Sequence, residues 1–125
     1  MEIVNEVWKD IKGYPNYQIS NYGRVWHKKK QRYVAQSHNN KGYCQVWMYA
    51  INGKRKHELV HRLVALAFIT NSEGKPEVNH INHIRDDNRV ENLEWVTHGE
   101  NNTIGRKQNY KHKQEWYEKR YSNIA

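Results

Sequence analysis

The order strand, polar loop, strand and helix in residues 77–104 constrains the fold more than any other feature of the chain. Glu77–His80 and Leu93–Val96 are short strand candidates, and a polar loop joins them. Thr97 is followed three residues later by Glu100, which is the spacing of a helix-capping box, so a short helix should begin near residue 98. This order brings the end of the first strand and the helix to one point.

The polar residues of this segment suit chemistry beside a metal ion. His80 is the natural general base, because an unperturbed imidazole pKa of about 6.5 leaves it neutral at physiological pH. Asn79 and Asn101 offer carboxamide oxygens, which suit hard cations such as Mg²⁺ or Mn²⁺. Asn92 precedes the second strand, and its amide could tie the loop and hold His80 in position. In a basic protein, the substrate such a site indicates is a phosphodiester.

Other interpretations of the same residues stay open. Taken alone, His80 could be a loop histidine that bonds only to backbone groups. His83 could join His80 and His98 in a transition-metal site for Zn²⁺ or Ni²⁺. Residues 86–88 read Asp-Asp-Asn and could supply ligands, although this run is typical of a simple turn. His61 could contact DNA or help place the site, or it could simply pack at the start of a helix.

Upstream of this segment, residues 6–60 read as a meander of short antiparallel strands. Tyr43–Ile51 alternates and is rich in β-formers, and Asn52-Gly53 predicts a type I′ hairpin turn before the return strand Lys54–Val60. His61–Phe68 then has the apolar spacing of a helix. The remaining strand candidates are Val7–Trp8, Tyr17–Ser20, Arg24–Trp26 and Arg32–Val34.

Charge and cysteine content narrow the class of partner. The net charge of +8 favours polyanions, nucleic acid first. The longest apolar run, Leu63–Ile69, is far shorter than the roughly 20 residues that span a bilayer, and the N-terminus does not resemble a signal peptide. Cys44 is the only cysteine, which excludes an internal disulfide and a Cys₂His₂ zinc site. We therefore expect a cytoplasmic protein, in a host cell if a phage encodes it, with no membrane partner.

Basic residues on the predicted hairpin tips and in the tail are candidates for phosphate contacts. Such contacts are independent of base sequence and weaken with salt, but the same residues could be solvated turns. In the tail, Tyr110, Trp116 and Tyr117 could instead dock the segment on the domain. The predicted DNA-binding residues are Lys28, Lys29, Lys30, Lys54, Arg55, Lys56, Arg62, Arg106 and Lys107.

Several motifs together resemble a known nuclease family. Residues 61–65 (HRLVA), 78–81 (VNHI), 87–97 (DNRVENLEWVT) and 100–101 (EN) resemble the HNH nucleases, specifically their phage and intron-encoded, homing-endonuclease-like branch. Residues 8–25 resemble the nuclease-associated modular motif that often precedes this type of HNH unit. The two resemblances cover about residues 6–104.

The resemblance implies a ββα-metal fold and metal-dependent DNA cleavage that leaves 5′-phosphate and 3′-hydroxyl ends. By position it makes His80 the general base, Asn79 and Asn101 the metal ligands, and Asn92 a loop-organising residue. The chain departs from the family at residues 82–83, where Asn-His replaces a common Asp-Gly, and both ligands are neutral. Neutral ligands should bind a metal ion more weakly than carboxylates, so DNA phosphate would have to complete the site.

These expectations combine into one prediction. The chain is an α+β protein with an N-terminal antiparallel sheet over residues 1–59, a ββα-metal unit over 60–104 and a basic tail over 105–125. It acts as a monomer on double-stranded DNA, nicks with low specificity and uses Mg²⁺, with Mn²⁺, Zn²⁺ and Ni²⁺ as alternatives. A nuclease-derived module that binds DNA without cutting it is the second hypothesis, and a structural or RNA-binding protein is the third.

Overall fold

Short antiparallel strands and one central helix make up the part of the chain that the computed structural model describes, residues 5–101. This is the α+β class that the sequence predicts. The second helix begins at residue 98, as expected, and continues to the end of the described range. The elements are β1 Trp8–Ile11, β2 Tyr14–Ser20, β3 Val25–His27, β4 Arg32–Tyr33, β5 Ser37–His38, β6 Cys44–Tyr49, β7 Arg55–Leu59, α1 Val60–Phe68, β8 Glu77–His80, a 3₁₀ turn Val90–Asn92 and β9 Leu93–Val96.

The N-terminal strands form two sheets, whereas the sequence predicts one meander. Strands β1 to β4 pair in chain order, β5 to β7 form a separate three-stranded sheet, and β8 pairs with β9. The break follows β4, and the Gln36 side chain donates a hydrogen bond of 2.7 Å to the Gly23 carbonyl, which ties the connecting segment to a turn of the first sheet. The sequence does not predict β5, because Ser37-His38 shows neither β-branched residues nor alternation.

The β6–β7 hairpin lies where Asn52-Gly53 predicts it, but its turn is not type I′. Gly53 has a φ of +81°, while Asn52 is not among the described residues with positive φ. The Gly53 amide donates to the Ala50 carbonyl at 2.9 Å, and the Asn52 side chain accepts from the Lys54 amide at 3.0 Å. This is a longer turn in which Gly53 alone has a left-handed backbone. The Asn52 side chain stabilises the turn by accepting the hydrogen bond from Lys54.

Helix α1 joins the sheets to the β8–β9 ribbon. Its buried residues Val60, Leu63, Val64 and Ala65 belong to one core that includes residues of both sheets and of the ribbon. Each fully buried aliphatic side chain contributes roughly 1.5–3 kcal/mol, so this helix is the main source of cohesion between the parts. Leu66, which belongs to the same apolar spacing in the sequence, is 66% exposed.

The described chain ends before the predicted tail. Residues 105–125, including Arg106, Lys107 and the aromatic residues expected to dock the tail, lie outside the described residues. Within residues 5–101, no helix is long and apolar enough to cross a membrane.

Candidate active site

The β8–β9 ribbon brings three of the predicted site residues to one cavity. Asn79 pairs with Glu94 and His80 with Leu93 across the ladder, and the Asn79 and His80 side chains are both buried. Asn101, on the C-terminal helix, reaches the same cavity of about 270 Å³. The residues that line it are Tyr43, Val78, Asn79, His80, His83, Arg85 and Asn101.

A single hydrogen bond orients the His80 ring. Its Nε2 lies 2.7 Å from Oδ1 of Asn88. An amide oxygen only accepts hydrogen bonds, so Nε2 carries the proton of the neutral ring and Nδ1 keeps its lone pair. Burial lowers the pKa of His80, and the bond to Asn88 opposes that shift. The lowered pKa keeps the ring neutral at physiological pH, so Nδ1 is available to accept a proton.

Two further rings pack beside His80. The ring centroids of His61 and His80 are 4.9 Å apart, and Tyr43 stacks on both histidines at 5.0 and 5.9 Å. Burial and the neighbouring His80 lower the pKa of His61 to about 3. His61 is therefore neutral beside His80. The guanidinium of Arg85 lies over the Tyr43 ring, 4.7 Å from its centre.

Asn92 organises the loop between β8 and β9, as a fully buried residue. Its side-chain oxygen accepts from the Asn82 amide at 3.0 Å, and its nitrogen donates to Asn82 Oδ1 at 2.9 Å and to the Asp87 carbonyl at 2.8 Å. The predicted contact between Asn92 and His80 is made by Asn88 instead. The loop ties Asn92 to positions 82 and 87, and so turns Asn88 toward the ring.

The loop accommodates the unusual pair Asn82-His83. Asn82 donates to the Asp87 carboxylate at 2.9 Å and accepts from the Ile84 amide at 2.9 Å, so its side chain closes the turn. His83 has a φ of +62°, the left-handed conformation that glycine adopts most readily and that histidine tolerates better than most residues. The Asn82-His83 pair thus preserves the turn, but His83 adopts a strained backbone conformation.

The two predicted metal ligands each have a carboxyl group behind them. The Asn101 side-chain nitrogen donates to Glu77 Oε1 at 3.1 Å, which leaves its oxygen to face a cation. Burial raises the pKa of Glu94, and the side-chain amide of its cross-strand partner Asn79 opposes that shift. Two carboxamide oxygens, one of them with the Glu77 carboxylate behind it, fit a hard divalent cation such as Mg²⁺.

The three-histidine alternative is not formed in residues 5–101. His98 pairs through Nδ1 with Glu77 Oε2 at 2.7 Å, and it is not among the residues that line the cavity. Hydrogen bonds from Asn101 and then from His98 lower the pKa of Glu77, so this carboxylate is ionised at neutral pH. His83 lines the cavity beside His80, but the histidines do not gather into one three-ligand group within the described residues.

The predicted DNA-binding residues lie away from this cavity, among those that the structure describes. Lys28–Lys30 occupy the turn after β3, and Lys28 lies 3.3 Å from Asp10. Lys54–Lys56 lie at the β6–β7 hairpin, where Arg55 packs 4.6 Å from the Trp47 ring centre. Arg62 donates to the Pro76 carbonyl at 2.9 Å and lies over Trp95, so it also supports the segment that leads into β8.

Sequence reasoning singles out neither Tyr43 nor Arg85; it raises His61 and Asn88 but gives Asn88 no contact with the base. Tyr43 is distant from His80 in the sequence, while Arg85 lies in the loop that follows His80, and neither carries a local signal. His61 does carry a local signal in the sequence, because it is a polar residue on the helix face that also holds the buried Val64 and Ala65. Asn88 follows two aspartates, a run that indicates a turn and conceals the amide that orients the base.

Comparisons with known proteins find related sequences and two matching family models. Residues 6–48 match the NUMOD4 motif and residues 58–103 match the HNH endonuclease family. The chain is 43% identical over 101 residues to a protein named uncharacterized HNH endonuclease L247 from Acanthamoeba polyphaga mimivirus, covering 78% of this chain and 25% of the viral protein. It is 40% identical over 91 residues to the DNA endonuclease I-HmuI of Bacillus phage SP01, covering 72% of this chain and 52% of that enzyme.

A solved structure is similar as well. It is described as DNA binding and cleavage by the HNH homing endonuclease I-HmuI, and it superposes with a TM-score of 0.71 at 36% identity. The match covers 90% of this chain and 66% of the other, which supports the predicted α+β fold. The chain spans between a quarter and about half of the length of the curated relatives it matches.

Proposed function

The chain belongs to the HNH endonuclease family, and from this premise we propose that it hydrolyses phosphodiester bonds of double-stranded DNA with a divalent cation. The proposed products carry 5′-phosphate and 3′-hydroxyl ends. Mg²⁺ is the proposed ion, because the two predicted ligand atoms are hard amide oxygens.

One observation carries the proposal: the 2.7 Å contact between His80 Nε2 and Asn88 Oδ1, in the cavity that Asn79 and Asn101 also line. That contact leaves Nδ1 of His80 as the basic atom. A general base of this kind contributes roughly 10²–10⁴-fold to a rate. The proposed ligands are close enough to share its cavity, so base and cation can act on one phosphate.

In the proposed reaction, Nδ1 of His80 takes a proton from a water molecule as the water oxygen attacks phosphorus. The bond between phosphorus and the 3′ oxygen breaks, and that oxygen leaves to become the 3′-hydroxyl with a proton from solvent. When bound, the cation would neutralise the charge that develops on the phosphoryl and leaving oxygens. Burial lowers the pKa of His80, but the Asp87 carboxylate acts in the opposite direction and so favours the imidazolium that forms.

We further propose how the chain meets its substrate. A monomer with one such site would nick one strand, with low sequence specificity. Backbone phosphates would lie along basic side chains, whose contacts do not depend on base sequence. The proposed phosphate contacts are Lys28, Lys29, Lys30, Lys54, Arg55, Lys56, Arg62 and, beyond the described residues, Arg106 and Lys107.

A plasmid-nicking assay across Mg²⁺, Mn²⁺, Ni²⁺ and Zn²⁺ tests the proposal. We expect the wild-type chain to convert supercoiled plasmid to nicked circles that DNA ligase reseals, since a ligase needs 5′-phosphate and 3′-hydroxyl ends. His57→Ala is the control, because this exposed histidine packs on Trp47 away from the cavity. Binding of duplex DNA with no nicking under any of the four metals would favour the non-cutting DNA-binding module instead.

A further inference from the structure

A second group of metal-ligating side chains lies outside the candidate active site. His38, Cys44 and Asp86 bring one nitrogen, one sulfur and one oxygen within 4.8 Å of one another. Cys44 Sγ is 3.8 Å from His38 Nε2 and 3.5 Å from Asp86 Oδ1, and His38 Nε2 is 2.7 Å from Asp86 Oδ1. Cys44 is buried, while the two partners are exposed.

These separations are close to the edges of a tetrahedral site. Zinc bonds of about 2.3 Å to sulfur and about 2.0 Å to nitrogen or oxygen imply edges of roughly 3.6 Å to the sulfur and roughly 3.3 Å between the other two atoms. The two sulfur edges already agree. The edge between His38 and Asp86 has to open by roughly half an ångström to reach that value, which two exposed side chains on separate segments allow.

The three residues come from different parts of the fold. His38 lies on β5, Cys44 begins β6, and Asp86 lies in the loop between β8 and the 3₁₀ turn. An ion held by all three would clamp that loop to the second sheet. The same loop carries Asn88, two residues after Asp86, which holds the ring of His80. The cluster is therefore placed to steady the loop that positions the proposed base.

We propose that His38, Cys44 and Asp86 form a separate binding site for a zinc-class divalent cation, with water as the fourth ligand. A thiolate and an imidazole select such an ion over Mg²⁺, which prefers oxygen ligands. On binding, the Cys44 thiol releases its proton to solvent, and the neutral His38 ring carries its proton on Nδ1 instead of Nε2. The hydrogen bond between His38 and Asp86 then gives way to two bonds to the ion. This proposal does not depend on the nuclease activity proposed above.

Cobalt(II) titration of the reduced, full-length protein tests the site directly. Cobalt bound to a thiolate gives a charge-transfer band in the near ultraviolet, and Cys44 is the only cysteine of the chain, so the band reports on this site alone. We expect one equivalent of Co²⁺ to produce the band, and Zn²⁺ to abolish it by displacement. Ions bound at the candidate active site would not produce it, because no sulfur lines that cavity among the described residues.

Matched variants separate a built site from a lone thiol. The exposed substitutions His38→Gln and Asp86→Asn should each weaken Co²⁺ binding at least tenfold, Cys44→Ser should remove the band, and His57→Gln should leave it unchanged. No band at saturating Co²⁺ would overturn the proposal. So would a band of undiminished affinity in both His38→Gln and Asp86→Asn, since the thiol would then bind without its partners. Neither readout requires the protein to cut DNA.

Discussion

At the scale of single residues, one of the two proposed metal ligands obtains from a neighbour the charge that it lacks. The Asn101 side-chain nitrogen donates to the Glu77 carboxylate, whose pKa is lowered, so a negative charge lies behind this neutral amide. A partner of this kind orients a ligand and raises the charge density at its oxygen. The neutrality of Asn101 is thus partly compensated by a group that does not itself touch the cation.

Glu77→Gln tests this compensation. The substitution keeps an acceptor for Asn101 but removes the negative charge, so the Mg²⁺ concentration for half-maximal cleavage should rise roughly 10–100-fold. Titration of cleavage rate against Mg²⁺ measures it, with Asp10→Asn as the control, since Asp10 is an exposed carboxylate that pairs with Lys28 elsewhere. An unchanged Mg²⁺ requirement in Glu77→Gln would show that the carboxylate plays no part in metal binding.

We propose Asn88 as a positioning residue for His80, and the pH dependence of cleavage distinguishes that role from a purely structural one. Its hydrogen bond raises the pKa of His80 against the larger effect of burial. Without this bond the pKa of His80 falls further, so in Asn88→Ala the acidic limb of the pH–rate profile should move to lower pH. The plateau rate should also drop tenfold or more, which is within the roughly 10²–10⁴-fold that a general base supplies.

The opposite shift is expected for Asn88→Asp. A carboxylate beside Nε2 stabilises the imidazolium, so the His80 pKa rises and the acidic limb moves to higher pH. Single-turnover rates from about pH 4.5 to 8.5, which is roughly two units on either side of an unperturbed histidine pKa, measure the acidic limb of both variants. If the acidic limb of the pH–rate profile lies at the same pH in the wild type and in both variants, Asn88 does not position the base.

At the scale of elements, a turn of the first sheet braces the catalytic loop. Gly23 follows β2 with a φ of +88°, and a Cβ there would lie 2.9 Å from Cβ of Asn88 and 3.1 Å from its carbonyl oxygen. The Val90 amide donates to the Asn21 carbonyl at 2.9 Å in the same place. The first sheet is thus a support for the loop that carries Asn88.

Gly23→Ala should therefore damage stability and cleavage together. Left-handed backbone costs an alanine about 1–2 kcal/mol, and the clash with Asn88 adds to it. Gly13→Ala is the matched control, because Gly13 has the same φ of +88° and a Cβ added there would meet nothing within 4 Å. Urea unfolding and single-turnover cleavage should show a larger loss for Gly23→Ala; equal losses would mean that the contact with Asn88 has no effect.

The elements that the sequence predicts are those with a local pattern. The apolar spacing of α1, the two strands β8 and β9 and the helix start at residue 98 all lie in the chain as written, and the structure has them at or within a residue of those positions. The split into two sheets is a matter of long-range strand pairing, and the Asn88 contact follows the loop closure around Asn92. Neither has a local signature, because each is a tertiary contact.

At the scale of the whole molecule, the excess positive charge predicts how DNA binding depends on salt. Each phosphate contact contributes about 0.9 to the slope of log K against log salt. Replacing Lys28–Lys30 or Lys54–Lys56 with glutamines should thus reduce the slope by up to roughly 2.7. Binding isotherms at several salt concentrations measure this, with Lys12→Gln as a control, and slopes equal to wild type would place the DNA on another face.

The most direct test of the central claim is single-turnover cleavage of duplex DNA by His80→Ala at saturating Mg²⁺, with DNA affinity measured in parallel. We expect a rate at least about 10²-fold lower, unchanged affinity, and partial recovery when imidazole is added to fill the space that the side chain leaves. Cleavage by His80→Ala at the wild-type rate would contradict the assignment of His80 as the general base.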